Sequence, residues 1–145
     1  MKTIGDILKS KGYDVWSVRP DTTVYDALTL MADKDIGAVL VLDTHGRLTG
    51  ILSERDYARK VALKGHTSRE TPVASIMTEK VISVSADRTV EECMALMTGH
   101  HIRHLPVTGK DRVIGVVSIG DIVKAIISDQ GFVIEQLEGY IRGAR

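Results

Sequence analysis

GILSERD at residues 50–56 returns later in the chain as GVVSIGD at residues 115–121. In both stretches an apolar run ends at a serine, and an aspartate follows three residues later. A serine before a helix with an acid three positions on is typical of a capping box, in which each side chain binds the backbone N–H of the other residue. The pattern therefore predicts a strand that leads directly into a helix, twice in one chain.

The two stretches belong to a longer internal repeat, and such repeats decide the architecture of a chain. Identical residues stand 66 positions apart in the first part of each copy and 65 apart in the second part, so one residue is lost in a turn. The pairs include Val15/Val81, Asp21/Asp87, Thr23/Thr89, Met31/Met97, Ile36/Ile102, Val41/Val107, Arg47/Arg112, Gly50/Gly115, Ser53/Ser118 and Asp56/Asp121. Two copies in a chain of 145 residues predict two similar units packed face to face with pseudo-twofold symmetry.

Both copies have the same predicted order of elements, β-α-β-β-α, which gives an α/β (α+β) fold. Thr23 is the predicted N-cap of a helix whose apolar residues recur at helical spacing from Val24. The strands are predicted at 15–18, 38–42, 48–52, 81–84, 104–107 and 113–117, with turns at Gly46 and Gly109 and closing helices at 54–63 and 119–128.

The chain is predicted to divide into four parts. These are a first repeat with an N-terminal helix at 1–63, a polar linker at 64–71, a second repeat at 72–129 and a C-terminal helix at 130–145. Thr71 and Pro72 predict an N-cap followed by proline at the first helical position. The last part has an apolar stripe that must cover a surface, either of its own repeats or of a neighbouring copy: Val133, Leu137, Tyr140 and Ile141.

Composition excludes several classes of protein. Nineteen basic and nineteen acidic residues balance, so no strongly basic surface for a nucleic acid is expected. The longest apolar run, at 38–42, is far shorter than the ~20 residues of a membrane span. Asp6 interrupts the N-terminus, which is unlike a signal peptide, and a lone Cys93 excludes an intrachain disulfide. We expect a cytoplasmic protein with no nucleic-acid or membrane partner.

The paired serine and aspartate have two compatible interpretations. The first is helix capping alone. The second is a ligand site, in which the N–H groups at the helix start and the serine hydroxyl hold an anion while the aspartate accepts both hydroxyls of a ribose. An anion together with a sugar diol describes a nucleotide.

The run HHIRHLP at 100–106 has three interpretations. Its histidines could hold a metal, or form a solvated helix end, or leave Arg103 and His104 as ligands of phosphate, which suits the fork of an arginine. The first repeat has the uncharged Ile36, Gly37 and Ala38 at the corresponding positions, so the two sites cannot be equivalent.

Two further residues are ambiguous, and no catalytic arrangement is recognisable. Cys93 is expected to be a small core residue, and Trp16 either a core residue or an aromatic wall for a purine. The glycine-rich and lysine motifs of the common nucleotide-binding folds are absent from the sequence, and an enzyme is not expected.

These motifs, in this order and twice, closely resemble a pair of cystathionine-β-synthase (CBS) domains, also called a Bateman module. Ile76-Met77-Thr78 before the second repeat and residues 102–107 within it match the same family. The resemblance covers about residues 3–129, and is strongest to stand-alone bacterial signal-transduction pairs and to small plant-organelle CBS proteins.

The resemblance implies two clefts between the repeats that bind adenine nucleotides, AMP first, with ADP, ATP or NAD as alternatives, and no metal. Carried over to this chain, cleft A would use Trp16, Ile36, Gly37, Arg103, His104, Val116, Ser118 and Asp121. Cleft B would use Thr78, Ile82, Ile102, Arg103, Ile51, Ser53, Arg55 and Asp56. Two departures make the clefts unequal, since Lys9 stands in the place of Thr78 and Gly120 in that of Arg55.

The function implied is a regulatory module without catalysis of its own. A ligand that bridges the repeats would favour the closed arrangement, and a partner protein would sense the change. The alternative is a ligand-independent scaffold that dimerises and docks on another protein. A CBS pair resembles a flat disc, and family members commonly stack two such discs through their helices. The resemblance therefore implies a homodimer. If His104 contacts phosphate as a cation, binding in cleft A should weaken as pH rises from about 6 to 8.

Overall fold

The computed structural model describes residues 2–128. The first half contains α1 (Ile4–Lys11), β1 (Ser17–Val18), α2 (Val24–Lys34), β2 (Ala38–Leu42), β3 (Leu48–Ser53) and α3 (Glu54–Tyr57), which a π-helical turn (Ala58–Ala62) continues. The second half contains a 3₁₀ turn (Val73–Ser75), β4 (Val84–Ser85), α4 (Val90–His100), β5 (His104–Gly109), β6 (Arg112–Ser118) and α5 (residues 119–128). The predicted C-terminal helix at 130–145, with its stripe of Val133, Leu137, Tyr140 and Ile141, lies outside the described residues.

The predicted mixed fold with an internal repeat is confirmed. Each half has a three-stranded sheet in which the first strand is parallel to the second and the second is antiparallel to the third, in the orders β1-β2-β3 and β4-β5-β6. Both sheets have an irregularity at the same place, after Val41 in one and after Val107 in the other. Within the described part of the chain, no helix is long and apolar enough to cross a membrane.

The residue lost between the repeats lies in the turn between the second and third strands. In the first repeat this turn contains Gly46, whose φ is 76°. In the second repeat the prediction of a turn at Gly109 is wrong, because Gly109 is the last residue of β5 and pairs with Arg112. Lys110 and Asp111 make the turn, with φ of 52° and 64°. Two central residues with positive φ match the twist of a hairpin, which outweighs the steric cost of a side chain there.

The leading segments of the two repeats are exchanged. α1 precedes the first repeat, but its Ile4, Ile7 and Leu8 belong to the apolar core of the second repeat. In the same way Val73 and Ile76, which precede the second repeat, belong to the core of the first. Each repeat therefore has a core that is completed by a segment distant in sequence.

Backbone hydrogen bonds hold the exchanged segments in place. The N–H of Ile4 donates to the carbonyl of Arg88 at 2.9 Å, and the N–H of Val73 donates to the carbonyl of Thr22 at 2.8 Å. Thr23 also forms an isolated bridge with Pro72. Since these bonds repeat on both sides, the exchange is part of the pseudo-symmetric design.

The predicted cap at Thr71 is wrong. Pro72, with ψ of 148°, is the residue before the 3₁₀ turn, and no side chain caps that turn. The hydroxyl of Thr71 donates instead to the carbonyl of Thr67 at 2.6 Å. The bridge to Thr23 keeps Pro72 extended, so the turn begins one residue later than its sequence suggests.

The glycine that begins each GxxSxxD stretch is explained by the exchange. A Cβ added to Gly50 would lie 2.6 Å from Sδ of Met77, and one added to Gly115 would lie 2.7 Å from Cδ2 of Leu8. Met77 and Leu8 are in the segments that cross over from the other side of the molecule. A glycine is needed at both places because the crossing segment packs directly on the strand.

Candidate functional site

Two cavities lie between the repeats, and each takes residues from both. Cleft A has a volume of about 590 Å³ and cleft B of about 480 Å³. These volumes are in the range of small-molecule sites. Cleft A combines the segment before β1 and the start of β2 with the start of α5. Cleft B combines the start of α3 with the segment between α4 and β5.

All eight residues expected in cleft A line it: Trp16, Ile36, Gly37, Arg103, His104, Val116, Ser118 and Asp121. Charged residues that the sequence analysis did not single out join them, namely Lys11, Asp14 and Asp35. Lys11 was missed because the helix was expected to end earlier. The sequence did hold a signal, since Gly12 directly after Lys11 is a typical helix terminator.

Seven of the eight residues expected in cleft B line it: Thr78, Ile102, Arg103, Ile51, Ser53, Arg55 and Asp56. Ile82 does not; it packs against the core of the second repeat. Glu54, Arg59, Lys60 and His101 also line the cavity. Arg59 and Lys60 follow the aspartate by three and four residues, so helical spacing places them on its face and could have indicated them.

The two cavities adjoin near the pseudo-twofold axis. Four residues line both of them, namely Gly37, Ile51, Arg103 and His104. Gly37 and Arg103 are equivalent positions of the two repeats. Arg103 of the second repeat therefore faces both clefts near this axis. The first repeat has the uncharged Gly37 at the equivalent position.

Both predicted capping boxes are formed. Ser53 N–H donates to Oδ2 of Asp56 at 3.0 Å, and Asp56 N–H donates to Oγ of Ser53 at 3.2 Å. The corresponding distances for Ser118 and Asp121 are 2.8 and 3.1 Å. The structural role of the motif is thus established, and each aspartate keeps a further carboxylate oxygen beyond the one that accepts the capping N–H.

In cleft A, the side chain of Lys11 is paired with Asp121. Its Nζ donates to Oδ2 of Asp121 at 2.7 Å and to the carbonyl of Val116 at 3.0 Å. Burial acts to raise the pKa of Asp121, but the hydrogen bonds from Lys11 and from the Ser118 N–H outweigh it, so the pKa lies below its usual value. Asp121 is therefore ionised at neutral pH and paired within the protein.

In cleft B, Thr78 and Lys60 contact the aspartate in the way that Lys11 does in cleft A. Thr78 Oγ1 donates to Oδ1 of Asp56 at 3.3 Å, and Nζ of Lys60 lies 3.3 Å from the same oxygen. Thr78 N–H donates to the carbonyl of Ile51 at 2.9 Å, which corresponds to the bond that Lys11 makes in cleft A. Asp56 is the more enclosed of the two aspartates, with 9% of its surface exposed.

Arg55 connects the two repeats across cleft B. Its Nη1 donates to the carbonyl of His101, the residue that ends α4, at 2.9 Å. Gly120 stands at the equivalent position of cleft A and has no side chain to make such a contact. The predicted inequality at this position is therefore visible in the geometry of the described residues.

The hypothesis that His104 acts as a cation needs correction. Burial lowers the pKa of His104; Asp121 opposes this, while Lys11 and Arg103 add to it. Its pKa therefore lies below the usual value, so the imidazole is protonated to a smaller extent between pH 6 and 8 than a free histidine. A loss of anion binding in cleft A is therefore expected at lower pH than the sequence suggested.

The remaining histidines of the run form a helix end. His100 is the last residue of α4, and His101 follows it in the left-handed conformation, with φ of 55°. Among the described residues, no group of three or more histidine, cysteine or acidic side chains could hold a metal ion.

Trp16 and Cys93 are now placed. Trp16 is 37% exposed and lines cleft A, so its interpretation as a core residue is wrong. Nζ of Lys34 lies 4.3 Å from the centre of its ring. Cys93 is fully buried in the core of the second repeat, as expected, and burial raises the pKa of its thiol.

Comparison with known proteins defines the class. The family model for the CBS domain matches twice, at residues 4–63 and 73–128. The chain therefore belongs to the CBS domain family and is a CBS-domain pair, which confirms the resemblance described above.

Its relatives include bacterial and plant proteins. A solved structure of a protein with CBS domains from Burkholderia ambifaria is 48% identical, with a TM-score of 0.86 over 89% of this chain and 96% of that chain. The mitochondrial CBS domain-containing protein CBSX3 of Arabidopsis thaliana is 41% identical over 97% of this chain and 72% of the relative. The CBS domain pair of MJ0100, solved with 5′-methylthioadenosine and S-adenosyl-L-methionine, is 25% identical, with a TM-score of 0.76 over 86% of this chain and 99% of that chain.

Proposed function

We propose that this chain is a regulatory module that binds adenine nucleotides in clefts A and B and has no catalytic activity of its own. AMP is the first candidate ligand, followed by ADP, ATP and NAD. The observation that carries the proposal is the pair of clefts in which a helix start with Ser53 and Asp56, or with Ser118 and Asp121, faces residues of the other repeat. The adenosine-containing ligands of the MJ0100 pair support the same ligand class.

The mechanism of regulation is a population shift. A ligand in either cleft contacts both repeats at once, so it stabilises the closed arrangement by its differential affinity for that arrangement. Because Arg103 and His104 line both cavities, occupancy of one cleft changes groups that face the other. A regulated protein that contacts both repeats would sense the change.

Thermal shift and calorimetry test the proposal. The purified protein is screened with AMP, ADP, ATP, NAD, NADH and S-adenosylmethionine, after its ratio of absorbance at 260 and 280 nm is recorded. A ligand at ~100 times its dissociation constant should add ~2.7 kcal/mol to the free energy of unfolding. No stabilisation by any of these ligands, together with no excess absorbance at 260 nm, would contradict the proposal.

The second candidate function is a scaffold that needs no ligand. The observation in its favour is that Asp56 and Asp121 already accept the capping hydrogen bonds, so the motif has a structural use without a nucleotide. Under this alternative, the ligand screen gives no shift, while the protein still forms a stable oligomer.

We also propose that the chain forms a homodimer in the cytoplasm through its helices. On α5, Val123 and Ile127 are 40% and 60% exposed, which leaves apolar surface on the last helix that the structure describes. Truncation after Asp129 should shift the protein toward monomer or lower its stability, as measured by light scattering and thermal unfolding. A full-length chain that is monomeric at micromolar concentration would contradict the dimer.

A further inference from the structure

We propose that the two clefts divide adenine ligands by charge: cleft B takes those with two or more phosphates, and cleft A takes those with one phosphate or none. This inference rests on the proposed function and deepens it, because it assigns a ligand class to each cleft. It is carried by the charged side chains that line the cavities and by the partners that they already have.

The linings of the two clefts differ in the sign of their net charge. The charged residues of cleft B are four cations and two carboxylates: Arg55, Arg59, Lys60, Arg103, Glu54 and Asp56. Those of cleft A, apart from the titratable His104 that lines both clefts, are two cations and three carboxylates: Lys11, Arg103, Asp14, Asp35 and Asp121. Arg103 faces both clefts, so the difference arises from the other residues.

The cations also differ in their availability. In cleft A, Lys11 is engaged by Asp121 at 2.7 Å and by the carbonyl of Val116 at 3.0 Å. In cleft B, Arg55 uses Nη1 on the carbonyl of His101, which leaves the other N–H groups of its guanidinium for a ligand. The part of the chain that the structure describes provides no hydrogen-bonding or ionic partner for the guanidinium of Arg59. Lys60 of cleft B is engaged as well, since its Nζ donates to the carbonyl of Ile76 at 3.0 Å and lies 3.3 Å from Oδ1 of Asp56. The guanidinium groups of Arg55 and Arg59 therefore remain available in cleft B, whereas the one cation particular to cleft A is neutralised.

The asymmetry follows from a few substitutions between equivalent positions. Gly120 stands in the second repeat where Arg55 stands in the first, and Ala125 stands where Lys60 stands. Asp35 ends α2 at the position that His101 occupies after α4. Lys60 lies in the π-helical turn that continues α3, whereas Ala125 lies within α5, so both the side chains and the local helix type differ between the two linings.

The chemistry of the ligands fits this division. Each added phosphate brings further negative charge, which is attracted in cleft B and repelled by the excess of carboxylates in cleft A. Nζ of Lys11 and the N–H of Ser118 both donate to Oδ2 of Asp121, so Oδ1 remains for the hydroxyls of a ribose, and the ammonium of Lys11 beside it suits a single phosphate. Trp16 adds an aromatic ring to cleft A, on which an uncharged base can stack.

The single tryptophan of the chain makes the clefts distinguishable in solution. Because Trp16 lines cleft A, its fluorescence reports occupancy of that cleft, while calorimetry reports both. Adenosine, AMP, ADP and ATP are titrated without magnesium at low and high salt. From AMP to ATP, we expect affinity in cleft B to rise by about tenfold, the order of one hydrogen bond to a charged group. Affinity in cleft A should stay constant or fall.

Exchange of the residues that differ tests the cause. Arg55→Gly, which introduces the residue of the other repeat, should remove most of the preference for ATP in cleft B. Gly120→Arg should create such a preference in cleft A, and its Cβ would meet Ser118 Oγ at an ordinary 3.5 Å. Lys11→Met should weaken AMP in cleft A more than adenosine, because it removes the cation that would face the phosphate. Lys9→Met is the matched control, since Lys9 lies on the same helix and lines neither cavity.

The outcomes separate the two proposals. No fluorescence change and no heat with any of the four ligands would contradict nucleotide binding itself. Binding with the same dependence on phosphate number in both clefts, or a preference unchanged by Arg55→Gly, would overturn the division by charge alone. If Gly120→Arg does not fold, Arg55→Gly and Lys11→Met still decide, because both remove surface side-chain groups without adding volume.

Discussion

Clefts A and B lie at equivalent places in the two repeats and have linings of opposite net charge. In cleft B, Thr78 extends as a bridge beside Ile51 and donates its N–H to the Ile51 carbonyl. In cleft A, α1 continues to Lys11, whose Nζ reaches the equivalent carbonyl of Val116. One hydrogen bond position is thus filled by a backbone amide on one side and by a cation on the other. The comparison teaches that duplication fixes where a site lies, while a few side chains decide what it holds.

The largest effect is expected from Leu8→Ala, which tests whether α1 belongs to the distant repeat. Leu8 is fully buried in the core of the second repeat. Removal of such a side chain leaves a cavity and typically costs ~2–5 kcal/mol. Denaturant unfolding measures it, with the exposed Lys9→Ala as a control expected to stay within ~0.5 kcal/mol. A cost for Leu8→Ala no larger than the control's would refute the exchange.

The aspartates sharpen the comparison of the clefts. If each holds a ribose, Asp56→Ala and Asp121→Ala should each abolish binding in one cleft, with a loss of ~1.5–3 kcal/mol, or roughly tenfold to 150-fold in affinity. Only Asp121→Ala should change the ligand response of Trp16 fluorescence. If the aspartates are caps alone, calorimetry should find a loss of ~0.5–2 kcal/mol in stability and unchanged affinity.

Substitution of Gly50 and Gly115 compares how tightly the two crossing segments pack on their strands. Gly50→Ala meets Met77 at 2.6 Å and the carbonyl of Thr78 at 3.0 Å, whereas Gly115→Ala meets the side chain of Leu8 alone within 3.4 Å. Overpacking should destabilise both by ~1–3 kcal/mol, and Gly50→Ala more, since the backbone must also move. Gly99→Ala in α4 has no neighbour within 4 Å and should stabilise by ~0.5–1 kcal/mol. Equal thermal midpoints for all three variants would contradict this packing.

The smallest effect concerns His104. Because its pKa in the folded protein is lowered from 6.5, the unfolded chain binds more protons just below that pH. This contribution to stability is complete above 6.5 and decreases as pH falls toward the folded-state pKa. His104→Gln should therefore lose less stability than the natural chain between pH 7 and 5.5, as measured in denaturant. A larger loss in the variant would mean that His104 is not held neutral by burial.

The architecture was largely predictable from the sequence, because the repeat is written in local patterns. Residues 38–42 were predicted as a strand and form β2, and Thr23 was predicted as a cap and caps α2. The turn at Lys110 and Asp111 was not, since lysine rarely adopts positive φ and Gly109 directly before it is a more usual turn residue; the twist of the hairpin imposes the conformation.

The composition of the clefts was predictable from the resemblance, and their charge balance was not. The expected residues of cleft A come together, but Lys11 joins them across a sequence distance of 110 residues from Asp121. Lys11 reaches the cavity because α1 crosses to the second repeat, a tertiary exchange without a local signal. Ile82 is the opposite case. It stands in the second repeat where Trp16 stands in the first, yet it does not line cleft B.

The exchange of leading segments has a consequence for how the chain is made. α1 leaves the ribosome before both repeats, yet the strand that it covers, β6, is synthesised about a hundred residues later. Until then Ile4, Ile7 and Leu8 have no surface to bury, and a helix of eight residues is unstable alone in water. The nascent first repeat, by contrast, receives Val73 and Ile76 soon after its own last helix. Translation thus supplies every segment of the first repeat's core before it supplies the strand on which α1 packs.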